Sequence, residues 1–280
     1  MPVGTEIVTS HTALRIPSDA PAGMPATGTV TRGIAGEVPV AFSYNGLAHA
    51  VMMATPADLE DFAAGFTLTQ EIVARASEIE AIELRELPIG FLVQMTIPQE
   101  RFRALASRRR NLVGQTGCGL CGVIELTQAV HPLAPMETAP QISAAAVFRA
   151  LAAGRGLQSL NHATGAMHAA FFVSPGGEPL CAREDVGRHN ALDKVIGRMA
   201  RDSVDAAGGF LLLTSRCSYE LVEKAVIARV PALVTISMPT TLAIARAEAA
   251  RLTLVSLARP DSVLVFNDPF GVFGGSPAHG

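Results

Sequence analysis

The sequence predicts an α/β protein built from two unequal units, a smaller α+β unit followed by a larger one whose sheet has parallel neighbours joined by crossover helices. Three observations carry this. Beyond residue 210, short apolar runs alternate with amphipathic stretches of helical length, the pattern of strands linked by helices. Residues 131–141 hold Pro132, Pro135 and Pro140 without periodicity, which marks a boundary. Before that boundary, an Asn-Gly pair between apolar runs signals a tight hairpin, and helix and strand patterns then mix. A chain of 280 residues is long enough to bury a sizeable core in one large or two small domains.

Residues 1–30 are rich in Pro, Ala, Gly and Thr and are expected to form a flexible tail. The first domain, residues 31–130, opens with the hairpin around Asn45-Gly46. Thr55-Pro56-Ala57-Asp58 then predicts a helix start, with Thr55 as N-cap and Pro56 in the first helical position. The helix should run to about residue 74 with Leu59, Phe62, Ala63, Phe66 and Ile72 facing the core. Strands over residues 79–84 and 91–97 and a helix over 99–108 lead into a cysteine loop that ends the domain. The second domain, residues 143–270, starts with a helix over 143–153. A loop and strand follow, containing Asn161, His162, Thr164, Gly165 and His168, and then a turn at residues 174–177. Strands over 210–213, 231–236, 253–257 and 263–266 alternate with helices over 218–229 and 240–252.

Composition excludes several classes. Lys+Arg of 22 against Asp+Glu of 25 gives a net charge of -3, so the chain is no general nucleic-acid binder and any anion site is local. Lys194 and Lys224 are the only lysines; the remaining cations are arginines, whose planar fork suits phosphate and carboxylate. No run approaches the ~20 apolar residues of a membrane span and no basic start leads into an apolar stretch, so a cytoplasmic protein without membrane contact is expected. Four cysteines, at 118, 121, 181 and 217, make no secreted disulfide framework and point to a reducing compartment. A lone CxxC lacks the second ligand pair of a structural zinc site, and no structural metal is expected.

Three segments carry chemistry. In Gln115-Thr116-Gly117-Cys118-Gly119-Leu120-Cys121-Gly122, the three glycines remove side chains and permit positive φ, which predicts an approachable thiol pair rather than buried structural cysteines. Arg101, Arg103, Arg108, Arg109 and Arg110 precede it; turned inward they would favour the thiolate, and turned outward they form the solvated face of a helix. The second segment runs from Cys181 through Arg183, Arg188, His189, Asn190 and Lys194 and reads as a strand end, a polar turn and a helix. Leu192, Val195, Ile196 and Met199 define its inward face, with Arg188 and His189 one turn earlier. Eight polar or charged side chains at a helix start favour an anion or catalytic site over a purely structural network. The third is a set of loops after strands: Thr214-Ser215-Arg216, residues 237–241, and Ala258-Arg259-Pro260-Asp261-Ser262. Parallel strands deliver such loops to one edge, where helix N-termini receive phosphate.

These residues resemble the accessory sulfurtransferases of formate dehydrogenase, the FdhD/NarQ family. The likeness rests on Cys118-Gly119-Leu120-Cys121-Gly122, on Thr164-Gly165-Ala166-Met167-His168-Ala169-Ala170, on Thr214-Ser215-Arg216-Cys217-Ser218-Tyr219-Glu220, and on the long string from Arg183 to Gly197. It implies a cytoplasmic sulfur carrier that takes persulfide sulfur from a cysteine desulfurase. The carrier delivers that sulfur to molybdenum bis(molybdopterin guanine dinucleotide), bound as a substrate, on behalf of the formate dehydrogenase catalytic subunit. By the same likeness Cys118 carries the persulfide with Cys121 as its partner, and Leu257 to Ser262 contact the guanine-nucleotide cofactor. Arg183, Arg188, His189, Asn190 and Lys194 would hold pterin or phosphate, with His168, Ser215 and Arg216 beside them. The second domain is expected to be similar to the cytidine deaminase fold, a mixed sheet flanked by helices. It would lack deaminase chemistry, because His168-Ala169-Ala170 replaces His-x-Glu and no Pro-Cys-x-x-Cys follows. A homodimer is expected for a cofactor with two nucleotides. Two rival classes are a zinc-dependent hydrolase, which would hold stoichiometric metal, and a cofactor chaperone that works without either loop cysteine.

Overall fold

A computed structural model describes residues 5–15, 28–113 and 132–274, with the side chains of 109–113 left aside. Three sheets organise these residues. Strands β1 (Val8–Leu14) and β2 (Thr29–Ala35) form an antiparallel ribbon in register from Val8↔Ala35 to Leu14↔Thr29. The composition of residues 1–30 predicts a flexible tail here. The Pro/Ala/Gly bias, however, lies between the two strands, and both strands carry β-branched residues, with Thr9 opposite Ile34, Thr12 opposite Thr31 and Val30 opposite Ala13.

The first unit is a four-stranded sheet with one helix on its inner face. Strands β3 (Val38–Tyr44), β4 (Leu47–Ala54), β5 (Ala81–Leu87) and β6 (Gly90–Thr96) lie in the order β4-β3-β6-β5. The central pair, β3 and β6, is parallel and the outer pairs are antiparallel. Asn45 (φ 47°) and Gly46 (φ 83°) make the predicted hairpin turn, both in the left-handed region that a two-residue connection requires. Helix α1 (Leu59–Thr69) packs Phe62 and Phe66 on Phe42, Tyr44, Val93 and Met95. Its start differs from the sequence expectation: Thr55 is fully buried and bonded to the second unit, and the N-cap is Asp58 at φ 53° without a side-chain cap bond. Helix α2 (Gln99–Val113) follows, longer than predicted, and points the chain towards the cysteine motif. That motif, with Cys118 and Cys121, lies outside the described residues.

Residues 132–143 adopt no regular element, as their prolines predict. Met136 nevertheless is buried, and its N–H donates to the Ala250 carbonyl at 2.8 Å. The second unit is a six-stranded mixed sheet. Its strands are β7 (His168–Val173), β8 (Pro179–Asp185), β9 (Phe210–Leu213), β10 (Ala232–Thr235), β11 (Thr253–Ser256) and β12 (Leu264–Asn267), in the order β12-β11-β10-β9-β7-β8. The expected parallel neighbours are β9, β10 and β11; β12 and β7 run antiparallel to the strands beside them, and so does β8. Strands β9 to β11 are buried on both faces because helices cover both, which is why they lack the apolar/polar alternation of a half-exposed strand; the Thr235 and Ser256 hydroxyls, buried with them, bond each other at 2.7 Å. Leu211, Leu213, Leu233 and Leu254 share one core with helices α5 (Arg188–Arg201), α6 (Tyr219–Ile227) and α7 (Thr241–Ala249). Phe210, Leu212, Val234 and Val255 share the other with α3 (Ala144–Gly156). Helix α3 stands where a helix over 143–153 is expected, with Ser143 as its N-cap, accepting from the Ala146 amide at 3.2 Å.

A short helix, α4 (Ser159–Thr164), stands where the sequence suggested loop. Its first amides find their acceptor far along the chain: the Glu184 carboxylate on β8 takes the N–H groups of Leu160 and Asn161 at 2.9 and 2.8 Å. The two units meet where α1 crosses α5. Glycines make that approach possible, since a Cβ on Gly65 would sit 1.8 Å from the Asp193 carbonyl oxygen and one on Gly197 1.8 Å from that of Asp61. Among the described residues, no helix is long and apolar enough to cross a membrane.

Candidate functional site: the carboxyl edge of the mixed sheet

Strand direction decides where the polar segments gather. The carboxyl ends of β9, β10 and β11 open at one edge; β7 runs antiparallel to β9, so its first residue, His168, starts at that edge, and β8 returns there before the turn into α5. The loop at 214–216, the loop at 237–241, the segment 257–262 and the N-terminus of α5 therefore face one region, although they are spread along the chain from 188 to 262. This is the edge at which open α/β sheets hold ligands.

At the start of α5 the N-cap is Gly187, with no side-chain cap and no acidic residue in the first turn. The Arg188, His189 and Asn190 amides have no hydrogen-bond acceptor among the described residues. Three N–H groups at the positive end of a fourteen-residue helix are thus left without an acceptor beside the Arg188 side chain. Arg188 Nε is buried without a partner, a donor that an incoming anion would satisfy. His168 is half-buried, and its imidazole is held below its ordinary range by burial, reinforced by nearby Arg188. Burial also lowers His189, against the pull of Glu220, whose carboxylate lies 3.0 Å from Nε2; Ser218 Oγ lies 3.2 Å from the same nitrogen. Both imidazoles are therefore biased to the neutral form at neutral pH, leaving the arginines to supply positive charge. Ser215 is buried with its hydroxyl donating to the Arg216 carbonyl at 3.1 Å, and Arg216 is exposed at the rim.

The segment after β11 is shaped by backbone bonds. Leu257 takes a left-handed φ of 50°, the Ala258 amide donates to the Thr235 carbonyl at 3.1 Å, and the Arg259 amide donates to the Ser262 carbonyl at 2.8 Å. Ala258 is buried, whereas Arg259, Pro260, Asp261 and Ser262 project into solvent. Ala258, Arg259 and Pro260 close one side of a cavity of about 140 Å³, whose other walls include Arg155, Gln158, Phe171 and Thr214. Arg155 and Gln158 carry no sign of this site in the sequence. They lie at and just beyond the end of α3, about 100 residues before their neighbours, with nothing local to mark them.

Three other expected anion-holding residues lie elsewhere, facing the seam between the units. Arg183 turns to the first unit, donating through Nε and Nη2 to Asp61 Oδ2 at 2.9 and 2.6 Å, with Asp58 at 3.4 Å. Asn190 donates to the Met53 carbonyl at 2.8 Å and to Asp185 Oδ1 at 2.9 Å. Lys194 has no solvent exposure and pairs with Asp185 at 2.7 Å while donating to the Thr55 carbonyl at 3.1 Å. A second buried set lies further along the same seam: Lys224 Nζ bonds both Asp193 oxygens at 2.8 Å and Thr69 Oγ1 at 2.9 Å. Polar side chains on the inner face of α5 signalled that partners exist; Asp61, Thr55 and Thr69, in the other unit, carried no local sign of being those partners.

The two described cysteines are poor nucleophiles. Burial pushes the Cys181 thiol up to about 11 and that of Cys217 up to about 12, so both stay protonated at neutral pH. Among the described residues, no cluster of three His, Cys, Asp or Glu side chains is arranged to hold a metal ion.

Fold and edge together define a class: a two-unit α/β protein with unpaired helix-start amides and arginines at one sheet edge, and a CxxC motif in the sequence between the units. The sequence model of the FdhD/NarQ family matches residues 35–272, and the chain belongs to that family. A protein named sulfur carrier protein FdhD from Variovorax paradoxus (strain S110) is 46% identical over 241 residues, covering 86% of this chain and 87% of that one. One of the same name from Xanthomonas euvesicatoria pv. vesicatoria (strain 85-10) is 48% identical over 256 residues, covering 89% and 90%. The fold is similar to a crystal structure from Desulfotalea psychrophila described as a formate dehydrogenase accessory protein. The TM-score is 0.73, over 94% of this chain and 98% of that one, at 23% sequence identity.

Proposed function

We propose that this chain is a cytoplasmic sulfur carrier that takes sulfur from a cysteine desulfurase and passes it to molybdenum bis(molybdopterin guanine dinucleotide) destined for formate dehydrogenase. The names of its relatives support the carrier role, and the description of the similar Desulfotalea psychrophila structure supports formate dehydrogenase as the client. The observation that carries the cofactor half is the single edge shared by the free first-turn amides of α5, Arg188, Arg216 and the 257–262 segment. In this reading phosphate meets the α5 amides and Arg188, with His168, His189 and Ser215 beside it. Leu257 to Ser262 border the guanine nucleotide. Arg183, Asn190 and Lys194 support the edge from the seam. A deaminase-like ancestry of the second unit is consistent with its mixed order of strands, and a homodimer would offer one edge to each nucleotide of the cofactor.

The sulfur half falls to Cys118 and Cys121, because burial disarms Cys181 and Cys217. The Cys118 thiolate attacks the outer sulfur of the desulfurase persulfide; that S–S bond breaks, the desulfurase thiolate leaves, and Cys118 carries the new persulfide without net oxidation. Attack of the Cys121 thiolate on the Cys118 sulfur then expels hydrosulfide for the molybdenum and leaves a disulfide. The two thiols supply the two electrons that reduce the sulfur, and a thiol reductant restores them.

The test is to incubate the full chain with a cysteine desulfurase and cysteine, then map added sulfur by intact-mass and peptide mass spectrometry. One added sulfur on Cys118, absent from Cys118→Ala, is expected. Absence of any adduct, with formate dehydrogenase maturation intact in both Cys118→Ala and Cys121→Ala, would leave a cofactor chaperone instead.

A further inference from the structure

Two consecutive amides immediately ahead of α5 are held by two side chains that come from different units. The Val186 N–H donates to Thr55 Oγ1 at 3.2 Å, and the Gly187 N–H donates to Asp185 Oδ1 at 2.8 Å. Thr55, just past the end of β4 in the first unit, has no solvent exposure, and its amide, carbonyl and hydroxyl each bond to the second unit, the carbonyl also accepting from the Ala57 amide at 2.8 Å. Its amide donates to Asp185 Oδ2 at 3.0 Å, its carbonyl accepts from Lys194 at 3.1 Å, and its hydroxyl takes Val186 while facing Met167 Sδ at 3.5 Å. Asp185 in turn accepts four donors: Gly187 N, Asn190 Nδ2, Thr55 N and Lys194 Nζ. A carboxylate with no solvent exposure and every lone pair engaged has no capacity left for a ligand.

What this network does is aim the helix start. Hydrogen bonds to an anion weaken steeply as the N–H direction departs from linear, so displacing the first turn by roughly half an ångström would blunt three amides at once. We propose that Thr55 and Asp185 are positioning residues for the anion-receiving edge. By fixing Val186 and Gly187 they direct the Arg188, His189 and Asn190 amides and the Arg188 guanidinium, so the first unit sets the affinity of a site in the second. The inference rests on the nucleotide reading of that edge. It explains why polar residues expected to touch the cofactor are turned inward: they hold the groups that do.

Thr55 allows a clean separation of positioning from stability. Thr55→Val keeps the shape and removes the acceptor of the Val186 amide; Thr55→Ser keeps the acceptor and removes a buried methyl. Both lower the melting temperature, so a purely structural role would weaken ligand binding in both. Guanosine diphosphate binding to the full chain is measured by isothermal titration calorimetry, well below either melting transition, alongside amide hydrogen exchange of peptides spanning residues 185–191. Expected are wild-type affinity and exchange for Thr55→Ser. For Thr55→Val, exchange is faster and affinity about five- to tenfold weaker, the scale of one hydrogen bond. Unchanged exchange in Thr55→Val, or equal affinity in all three proteins, overturns the proposal. So does an affinity that follows melting temperature, with Thr55→Ser as weak as Thr55→Val. If the wild type takes up no guanosine diphosphate, the nucleotide reading itself fails, and the exchange pattern alone then decides whether Thr55 holds the turn.

Discussion

Replacing Gly65 by alanine sets two physical effects against each other, and their sizes predict the sign. In an isolated helix the change is favourable by about 1 kcal/mol, because alanine loses less backbone entropy. At the crossing of α1 and α5, however, the new Cβ would lie 1.8 Å from the Asp193 carbonyl oxygen, 2.6 Å from its carbon and 2.8 Å from the Gly197 nitrogen. All three are backbone atoms, so no rotamer change relieves the clash and the helices must part by roughly 1.5 Å to reach ordinary contact. Parting them stretches the Thr69–Asp193 bond of 2.7 Å and the Arg183–Asp61 pair of 2.6 Å, both of which span the seam. Overpacking of this kind together with weakened buried bonds amounts to about 3–5 kcal/mol, leaving a net loss of about 2–4 kcal/mol. Thermal unfolding followed by circular dichroism should show a drop of about 3–8 °C for a chain of this size. Gly156→Ala is the control: it sits in α3 with no atom within 4 Å of the added carbon, so it should be neutral or slightly stabilising. A Gly65→Ala protein as stable as the wild type would refute the view that backbone contact at this crossing joins the units.

Lys224→Met should cost about 3–5 kcal/mol by leaving Asp193 buried without its cation, and Lys224→Met with Asp193→Leu should recover much of it; urea unfolding of both measures the difference. Because burial lowers the pKa of His168 in the folded state, the unfolded chain binds more protons between the folded value and its ordinary 6.5. Stability should therefore be full above about pH 7 and decline as pH falls through that window, more weakly in His168→Gln, as thermal melts from pH 7.5 to 5.5 would record. Iodoacetamide at neutral pH should leave Cys181 and Cys217 unmodified until denaturant is added; rapid native labelling of Cys217 would contradict its burial.

Much of this protein is legible along the chain because the signals are local. Asn45-Gly46 gives the hairpin, since only residues tolerant of positive φ close a two-residue turn. The apolar runs at 210–213, 231–236 and 253–257 announce strands covered on both faces, and Ser143 announces a helix start. The convergence of the three strand-end loops follows from parallel strands alone. Local reasoning fails where a group is claimed by a distant partner. Thr55 has the spacing of an N-cap, yet Asp185 and Val186, 130 and 131 residues away, engage its amide and hydroxyl, and α1 starts at Leu59 instead. Residues 159–164 look like loop until Glu184 supplies the acceptor for their first amides. Lys194, Asn190 and Arg183 share one dense polar string with Arg188 and His189, and nothing in the string separates residues facing the seam from those facing the edge.

By itself, the sequence determined most element types, though not the β1–β2 ribbon or α4, together with the strand-end loops, the CxxC motif and the family. Tertiary structure alone decided which polar residues remain free to meet a ligand. A hydrogen-bonding group is spent or available according to what folding brings within about 3 Å of it. For Thr55, Asp185 and Lys194 that neighbour comes from the opposite unit, whereas the amides at the start of α5 are left without one.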